Sequence, residues 1–142
     1  SLHRVSYAGT FNGHQISLAA ASVTLDKLKT GKIQEHLNKL TQRLIKGFNG
    51  IADNIGIKAR LQGFGGQFQV YFTDSEVLDY RTAYTTNREM YKEFRDTMIE
   101  GNINWSPNCF AHHGITASHN DKDIQKILIV SEKALKKIRK EF

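Results

Sequence analysis

The residues whose types and spacing could do chemistry begin at a turn near the start of the chain. Residues 9–13 read Gly-Thr-Phe-Asn-Gly and lead directly into an alanine-rich stretch. A glycine turn, a free hydroxyl and a helix N-terminus in one place together suit an anion such as phosphate. A turn that only starts a helix, with Asn12 as its cap, explains the same residues in purely structural terms. Gly9 and Thr10 are therefore candidate anion-binding residues with a structural alternative.

A second group of reactive residue types follows Pro107. Cys109 is the single cysteine, so the chain forms no internal disulfide and has no CxxC metal or redox motif. As a nucleophile Cys109 would need a base, and His112 and His113 are close in sequence. A cysteine beside Phe110 is more often simply packed in a core, which is the interpretation we favour.

A third group combines His119 with Asp121 and Asp123, residue types that bind metal ions. They precede a long apolar-periodic stretch, where Asn120 can cap a helix and acidic residues favour its first turn. The cap explains the group without an ion, so we predict no metal site.

Composition narrows the function classes. The chain has 142 residues, of which 39% are apolar, and this suffices for one globular domain with a real core. Its net charge is +6, but no aromatic and basic residues alternate as on a base-stacking platform, so nucleic-acid binding is the weakest hypothesis. Apolar runs are short and no signal peptide begins the chain, so we expect a soluble cytoplasmic protein with no membrane partner.

Hydrophobic periodicity predicts four helices. The first spans about residues 13–29, and the second, about 32–54, carries a strong apolar stripe. Thr86 or Asn87 can cap a third helix that stops near Gly101, and Asn120 caps the last. Residues 73–86, which precede the third helix, have mixed polarity and are predicted to form an ordered loop.

Period-2 alternation predicts four strands after the second helix. Residues 57–63 and 67–72 form an antiparallel hairpin around the Gly-rich turn, and residues 102–105 and 114–118 add two short strands. The predicted fold is α+β, with two layers, a short and mostly antiparallel sheet, and helices on one face. Residues 1–8 predict a short strand or an extended lead-in, and because no element precedes this segment we expect the chain to be a piece of a longer one.

Four motifs in register over nearly the whole chain carry a family resemblance. They are Ala8-Gly-Thr-Phe-Asn-Gly13, the hairpin ending in Phe72-Thr-Asp74, the pair Glu100-Gly101 with Ser106-Pro107, and Ser118-His-Asn-Asp-Lys-Asp-Ile124. In this order they resemble the C-terminal part of class III (fold type I) pyridoxal-phosphate-dependent aminotransferases, nearest the glutamate-1-semialdehyde 2,1-aminomutase branch. The resemblance implies a small C-terminal domain, residues 31–142, preceded by an interface turn and linking helix, residues 1–30.

The resemblance also implies a cofactor role for the first turn. Gly9 and Thr10 would hold the phosphate of pyridoxal 5'-phosphate bound to the neighbouring subunit, so the enzyme would be a homodimer. The Schiff-base lysine of the family lies before the matched segment, which implies that the chain alone is catalytically inert. The alternative is a non-catalytic interaction module derived from a transaminase tail.

Two departures from the family pattern bear on the small-molecule substrate. Ala111 stands where the aminomutases carry an acidic residue, which disfavours their isomerase activity. No arginine lies between Asn108 and Ser118, where related transaminases keep one for a substrate carboxylate. His112 and His113 are candidates for lining a substrate entrance, although a polar turn between strands is the more common role of such a pair.

Overall fold

A computed structural model describes residues 8–142 of the chain. The chain divides into two compact units, Ser1–Ile33 and Gln34–Phe142. The strand predicted over residues 1–8 lies, apart from Ala8, outside the described residues. The predicted roles of residues 1–30 and 31–142 as interface segment and small domain stay predictions.

The first unit contains the turn and helix α1 (Gln15–Leu28). The Asn12 amide donates to the Gly9 carbonyl at 2.9 Å, and Gly13 has a φ of 78°, which a residue with a side chain rarely adopts. Because the helix begins at Gln15, two residues later than predicted, its cap is His14 and not Asn12. The His14 Nδ1 atom accepts from the Ser17 amide at 3.4 Å.

Helix α2 (Lys32–Ile55) begins and ends close to the predicted bounds and has the predicted amphipathic pattern. Its core face buries Leu40, Leu44 and Phe48. The helix ends at Gly56, whose φ of 79° lets the Ile57 amide donate back to the Ala52 carbonyl at 3.0 Å.

The predicted hairpin is confirmed as β1 (Arg60–Phe64) and β2 (Gln67–Tyr71), paired antiparallel with Leu61 opposite Val70. A third strand, β3 (His113–Gly114), pairs antiparallel with β2 and places His113 opposite Phe68. The sheet order is β1-β2-β3. Apolar side chains from α2 and from one face of this hairpin enter the same core.

Two strand predictions were wrong. Residues 102–105 form no strand, because Asn102 takes a left-handed conformation (φ 56°) at the helix end and the following residues have no ladder partner. The strand predicted at 114–118 shrinks to β3, because the His119 ring bonds the Thr116 amide at 3.1 Å and turns the chain away. The described residues therefore hold three strands and not four.

The segment predicted as a loop contains a further helix, α3 (Tyr80–Ala83). The Asp79 side chain caps this helix by accepting from the Thr82 amide, and the Thr82 hydroxyl oxygen accepts from the Asp79 amide at 3.0 Å. These two reciprocal hydrogen bonds form a capping box. Helix α4 (Arg88–Glu100) is capped by Asn87, and α5 (Asp121–Glu141) by Asn120, as predicted.

One core joins α2, α4, α5 and the sheet. Its largest fully buried side chains include Phe48, Phe72 and Phe94. On the opposite side of the hairpin, the Gln62 side chain donates from Nε2 to the carbonyl of Val77, which precedes α3, at 3.2 Å. The predicted α+β class with a short antiparallel sheet is confirmed. Across residues 8–142, no helix has the length and hydrophobicity that a bilayer crossing requires.

Candidate functional site

The first predicted site, Gly9 and Thr10, lies on the exposed turn of the first unit. A Cβ atom added to Gly9 would stand 3.0 Å from the side-chain oxygen of the exposed Asn12, a close contact that a small movement of this side chain would relieve. The Thr10 side chain is exposed at a turn immediately before α1. This arrangement is compatible with anion binding, and the role of both residues stays a prediction.

The second predicted site, His112 and His113, splits into two environments. His112 is exposed, whereas His113 is half-buried. The His113 ring stacks on Trp105 with centroids 4.0 Å apart and on Phe68 at 5.9 Å. Burial, and to a smaller extent the neighbouring His112, lower the pKa of His113 from 6.5 to about 4. His113 is therefore a neutral ring in the sheet layer, and only His112 is open to solvent.

Tyr91 of α4 lies beside the His113 ring. Its hydroxyl donates to the Ser106 carbonyl at 2.9 Å and stands 3.3 Å from the Asn108 carbonyl and 3.4 Å from His113 Nε2. Burial raises the pKa of Tyr91, so the hydroxyl stays protonated and donates. Tyr91 thus fixes the backbone that leads to the two histidines.

A second side chain holds the same segment from the sheet. The buried Gln69 donates from Nε2 to the Cys109 carbonyl at 2.5 Å. Within the segment, the Asn108 amide donates to Ser106 Oγ at 3.1 Å and the Phe110 amide to Asn108 Oδ1 at 2.9 Å. Residues 106–111, which we name the clamped segment, are therefore ordered by both neighbours and self-contacts. Cys109 is 8% exposed and belongs to the core, in agreement with a packing role.

The third predicted group, His119, Asp121 and Asp123 at the start of α5, makes its contacts with other residues of the protein. Asp121 pairs with Arg43 of α2 at 2.6 Å, and Asp123 accepts from the Asn120 amide at 2.8 Å. His119 Nδ1 accepts from Thr116, and its carbonyl contacts His36 Nε2 at 2.9 Å. Within residues 8–142, no three metal-binding side chains of the His, Cys, Asp or Glu type come together.

An aromatic cluster that the sequence analysis missed lies on the outer side of the sheet. It consists of Tyr80, Tyr84 and Phe110, whose centroids are 5.5 to 5.9 Å apart. The Arg88 guanidinium lies 4.6 Å from the Tyr84 centroid. The signal in the sequence is the spacing of four between positions 80, 84 and 88, but it runs through a segment that was assigned to a loop.

Several solved aminotransferase structures are similar in fold to this chain. An omega-transaminase from Sphaerobacter thermophilus matches with a TM-score of 0.76 at 17% identity, over 95% of this chain and 31% of that one. A glutamate-1-semialdehyde-aminomutase from Pseudomonas aeruginosa PAO1 matches with a TM-score of 0.79 at 13% identity, over 97% and 31%. The fold is that of the C-terminal domain of fold type I aminotransferases.

Sequence comparison gives the family. No protein-family model matches the chain. A glutamate-1-semialdehyde 2,1-aminomutase from Thermodesulfovibrio yellowstonii is 33% identical over 134 residues, 94% of this chain, and one from Desulfitobacterium hafniense is 31% identical over 131 residues, 92% of it. The predicted resemblance is confirmed, because the chain is homologous to glutamate-1-semialdehyde 2,1-aminomutases and corresponds to their C-terminal part. It spans about 30% of the length of these relatives.

Proposed function

We propose that the chain is the C-terminal domain of a pyridoxal-phosphate-dependent aminotransferase or 2,1-aminomutase. The observation that carries this proposal is sequence similarity to glutamate-1-semialdehyde 2,1-aminomutases along 94% of the chain. In such an enzyme the domain would help move an amino group between an amino acid and a keto or aldehyde substrate. The enzyme would be a cytoplasmic homodimer.

The Gly9–Thr10 turn supplies this chain's own contact for the cofactor. Its exposed hydroxyl, its glycines and the adjacent start of α1 fit a phosphate group. Pyridoxal phosphate supplies an electron sink for amino-group chemistry when it is bound. The chain's part is to hold the phosphate of the cofactor in the neighbouring subunit, so Thr10 would complete the partner's site.

The chain alone would be inert, because none of its lysines has the environment of a cofactor-binding amine. Lys92, Lys136 and Lys137, for example, form ion pairs on helices. Ala111 stands in place of an acidic residue of the aminomutases, which favours transamination over isomerisation. The clamped segment would present Ala111 toward the substrate, together with the exposed His112 that follows it.

A chimera tests the proposal directly. The matched C-terminal third of the Thermodesulfovibrio yellowstonii enzyme is replaced by this chain, and the product is measured for dimer formation, cofactor absorbance after desalting, and amino-group transfer. We expect a dimer that retains pyridoxal phosphate and transfers amino groups. A folded dimer that binds no cofactor would contradict the enzymatic role and support the interaction module instead.

Thr10→Ala tests the cofactor contact, with Thr24→Ala as the matched control. Thr24 lies on α1, where its hydroxyl donates to the Ala20 carbonyl at 2.8 Å. Losing a hydrogen bond to a charged phosphate costs roughly 2 kcal/mol, so we expect Thr10→Ala to weaken cofactor retention by at least about tenfold. Equal retention by the two variants would refute the role of Thr10 while leaving the enzyme class intact.

A further inference from the structure

Gln69 is a buried amide in the middle of β2. It is 5% exposed and stands between Phe68 and Val70, which both belong to the core. Because successive side chains of a strand point to opposite faces of the sheet, the Gln69 side chain leaves the strand on the face opposite to these two. There its Nε2 atom donates to the Cys109 carbonyl at 2.5 Å. Gln69 therefore links the sheet to the backbone of the clamped segment.

The hydrogen bonding of Gln69 is not what core stability alone would select. Its Oε1 atom is buried and has no hydrogen-bond partner within residues 8–142. An unpaired buried oxygen costs free energy, and an apolar side chain of similar size would avoid that cost. This favours a role for Gln69 beyond core stability, and the contact of its donor end places that role at the clamped segment.

The carbonyl that Gln69 holds lies inside a turn that ends at Ala111. The Ala111 amide donates to the Asn108 carbonyl at 3.1 Å and so closes a β-turn. Cys109 is the second residue of this turn, and a displacement of its carbonyl passes through the planar peptide bond to Phe110 and then to Ala111. Gln69 thus fixes the orientation of the turn that carries Ala111.

Gln62 offers a matched comparison on the neighbouring strand. It lies directly opposite Gln69 in the register of the hairpin, and its Nε2 atom donates to the Val77 carbonyl at 3.2 Å. Both glutamines hold an irregular segment through a main-chain carbonyl, but Gln62 is exposed and holds a different segment. Replacing Gln62 therefore removes the same type of contact and leaves the clamped segment untouched.

We infer that Gln69 is a positioning residue for amino-group transfer. Through the Cys109 carbonyl it holds Ala111 in the orientation that the clamped segment presents to the substrate. Gln69 acts through the backbone and not by contact with substrate or cofactor. The presence of a substrate beside Ala111 rests on the proposed function, whereas the link from Gln69 to Ala111 rests on the two hydrogen bonds of the turn.

Hydrogen exchange in the 142-residue chain tests this link without any cofactor. Gln69→Met keeps a side chain of similar length but removes the donor. We expect the protection factor of the Ala111 amide to fall about tenfold in Gln69→Met, a factor typical of one lost hydrogen bond, and to stay unchanged in Gln62→Met. The Leu44 amide of α2 reports global stability. An unchanged Ala111 amide in Gln69→Met, or an equal fall at Leu44, would overturn the inference.

Gln69→Glu restores the donor only when its carboxyl group is protonated. A carboxylate cannot donate to the Cys109 carbonyl, whereas a protonated carboxyl can, and burial raises the pKa of a carboxyl group. The Ala111 protection factor in Gln69→Glu should therefore resemble that of Gln69→Met at pH 8 and return toward the parent value at pH 5.5. His112 and the other titrating groups are present in the parent too, so each value is compared with the parent at the same pH. A ratio that does not change with pH would contradict the role of the donor.

The chimera separates positioning from cofactor binding. Its probe is glutamate 1-semialdehyde, the compound in the name of the relative that supplies the rest of the chimera. We expect Gln69→Met to retain cofactor as the unsubstituted chimera does but to lose about tenfold in kcat and in kcat/KM alike, because a displaced Ala111 disturbs the productive orientation. Gln69→Glu should recover kcat at pH 5.5, and Gln62→Met should lose nothing.

The possible failures of this experiment are distinguishable. A chimera that binds no cofactor or transfers no amino group would defeat the proposed function and leave the exchange result on Gln69 standing. An active chimera in which Gln69→Met and Gln62→Met have the same kcat would defeat the inference alone. A loss of cofactor in Gln69→Met that matches its loss of kcat would show a structural defect and would also overturn the positioning role.

Discussion

At the scale of single residues, His113 makes the stability of the folded protein depend on pH. Its pKa is about 4 in the folded protein because burial against Trp105 and Phe68 disfavours the charged ring, whereas an unfolded chain would have the ordinary value near 6.5. Between these two pH values the unfolded state binds a proton that the folded state does not. Stability contributed by neutral His113 is therefore present above pH 6.5 and is lost as the pH falls toward 4.

We predict that His113→Phe reduces this loss. The full shift of the His113 pKa would correspond to roughly 3 kcal/mol of unfolding free energy. Because the ring is partly exposed, we expect a contribution of about 2 kcal/mol, which His113→Phe should remove from the pH dependence. The measurement is the free energy of unfolding by urea at pH 7 and at pH 4.5, compared between variant and parent so that the other titrating groups cancel. His112→Asn serves as the control, since burial, the larger cause, remains and most of the pH dependence should persist. A pH dependence in His113→Phe equal to that of the parent would contradict the assignment.

Single residues also show which features of the candidate sites could be predicted from the sequence and which could not. Gly9 and Thr10 could be proposed from sequence because their chemistry is local, and their role stays a prediction. The cap is His14 and not Asn12, because Gly13 between them takes a left-handed backbone conformation. The different burial of His112 and His113 follows from Trp105 and Phe68, which reach His113 through tertiary packing. No pattern within one segment carries that information.

At the scale of elements, the clamped segment shows how irregular backbone is fixed. Tyr91 holds it from α4 and Gln69 from β2, each through a main-chain carbonyl. A side chain that donates to a main-chain carbonyl satisfies that carbonyl as a ladder hydrogen bond does in a strand. This explains why the region needs only the two residues of β3 to stay in register with the sheet.

We predict that Tyr91→Phe loosens the clamped segment. Removing the hydroxyl leaves the Ser106 carbonyl without its 2.9 Å donor and should cost about 1 to 2 kcal/mol of unfolding free energy. Amide hydrogen exchange should accelerate within residues 106–111 more than in α2. Tyr80→Phe, on a ring that is 66% exposed, is the control and should change neither quantity. Uniform acceleration across α2 and the segment in Tyr91→Phe would indicate a global defect and not a local clamp.

Long periodic elements were predictable from sequence and short ones were not. The stripe that buries Leu44 and Phe48 specifies α2 almost to its ends, and the alternation around Gly65 and Gly66 specifies the hairpin. The four residues of α3 and the two of β3 are too short for periodicity to show. Helix α3 depends on the reciprocal bonds of Asp79 and Thr82, a signal of capping chemistry inside a stretch of mixed polarity.

At the scale of the whole molecule, the charge and the apolar surface are distributed unevenly. The positive charge of α5 is partly balanced by ion pairs such as Lys136 with Glu132 and Lys137 with Glu93. Exposed apolar side chains, in contrast, concentrate in the first unit, where Phe11, Ile16, Leu18, Val23 and Leu25 are all more than half exposed. We expect this distribution of a chain that meets a partner protein through its first unit, as the proposed homodimer requires.

Helix α1 has no buried residue, although its sequence is among the most apolar in the chain. Ile16, Leu18, Val23 and Leu25 are 57% to 76% exposed and do not share a single narrow stripe. A helix that is apolar on most sides is stable in water when another surface covers it. Because the proposed enzyme is a homodimer, we predict that the chain self-associates through α1.

Leu18→Lys with Val23→Lys tests this association by sedimentation velocity. We expect the parent to sediment as a dimer or larger species and the double variant as a monomer, because two charges on α1 would have to be desolvated in the interface. Ile99→Lys with Ile129→Lys is the matched control, since it adds the same charge at exposed apolar positions of α4 and α5 and should leave association intact. A parent that stays monomeric over the accessible concentrations, or two double variants that dissociate alike, would show that the apolar surface of α1 does not mediate association of this chain.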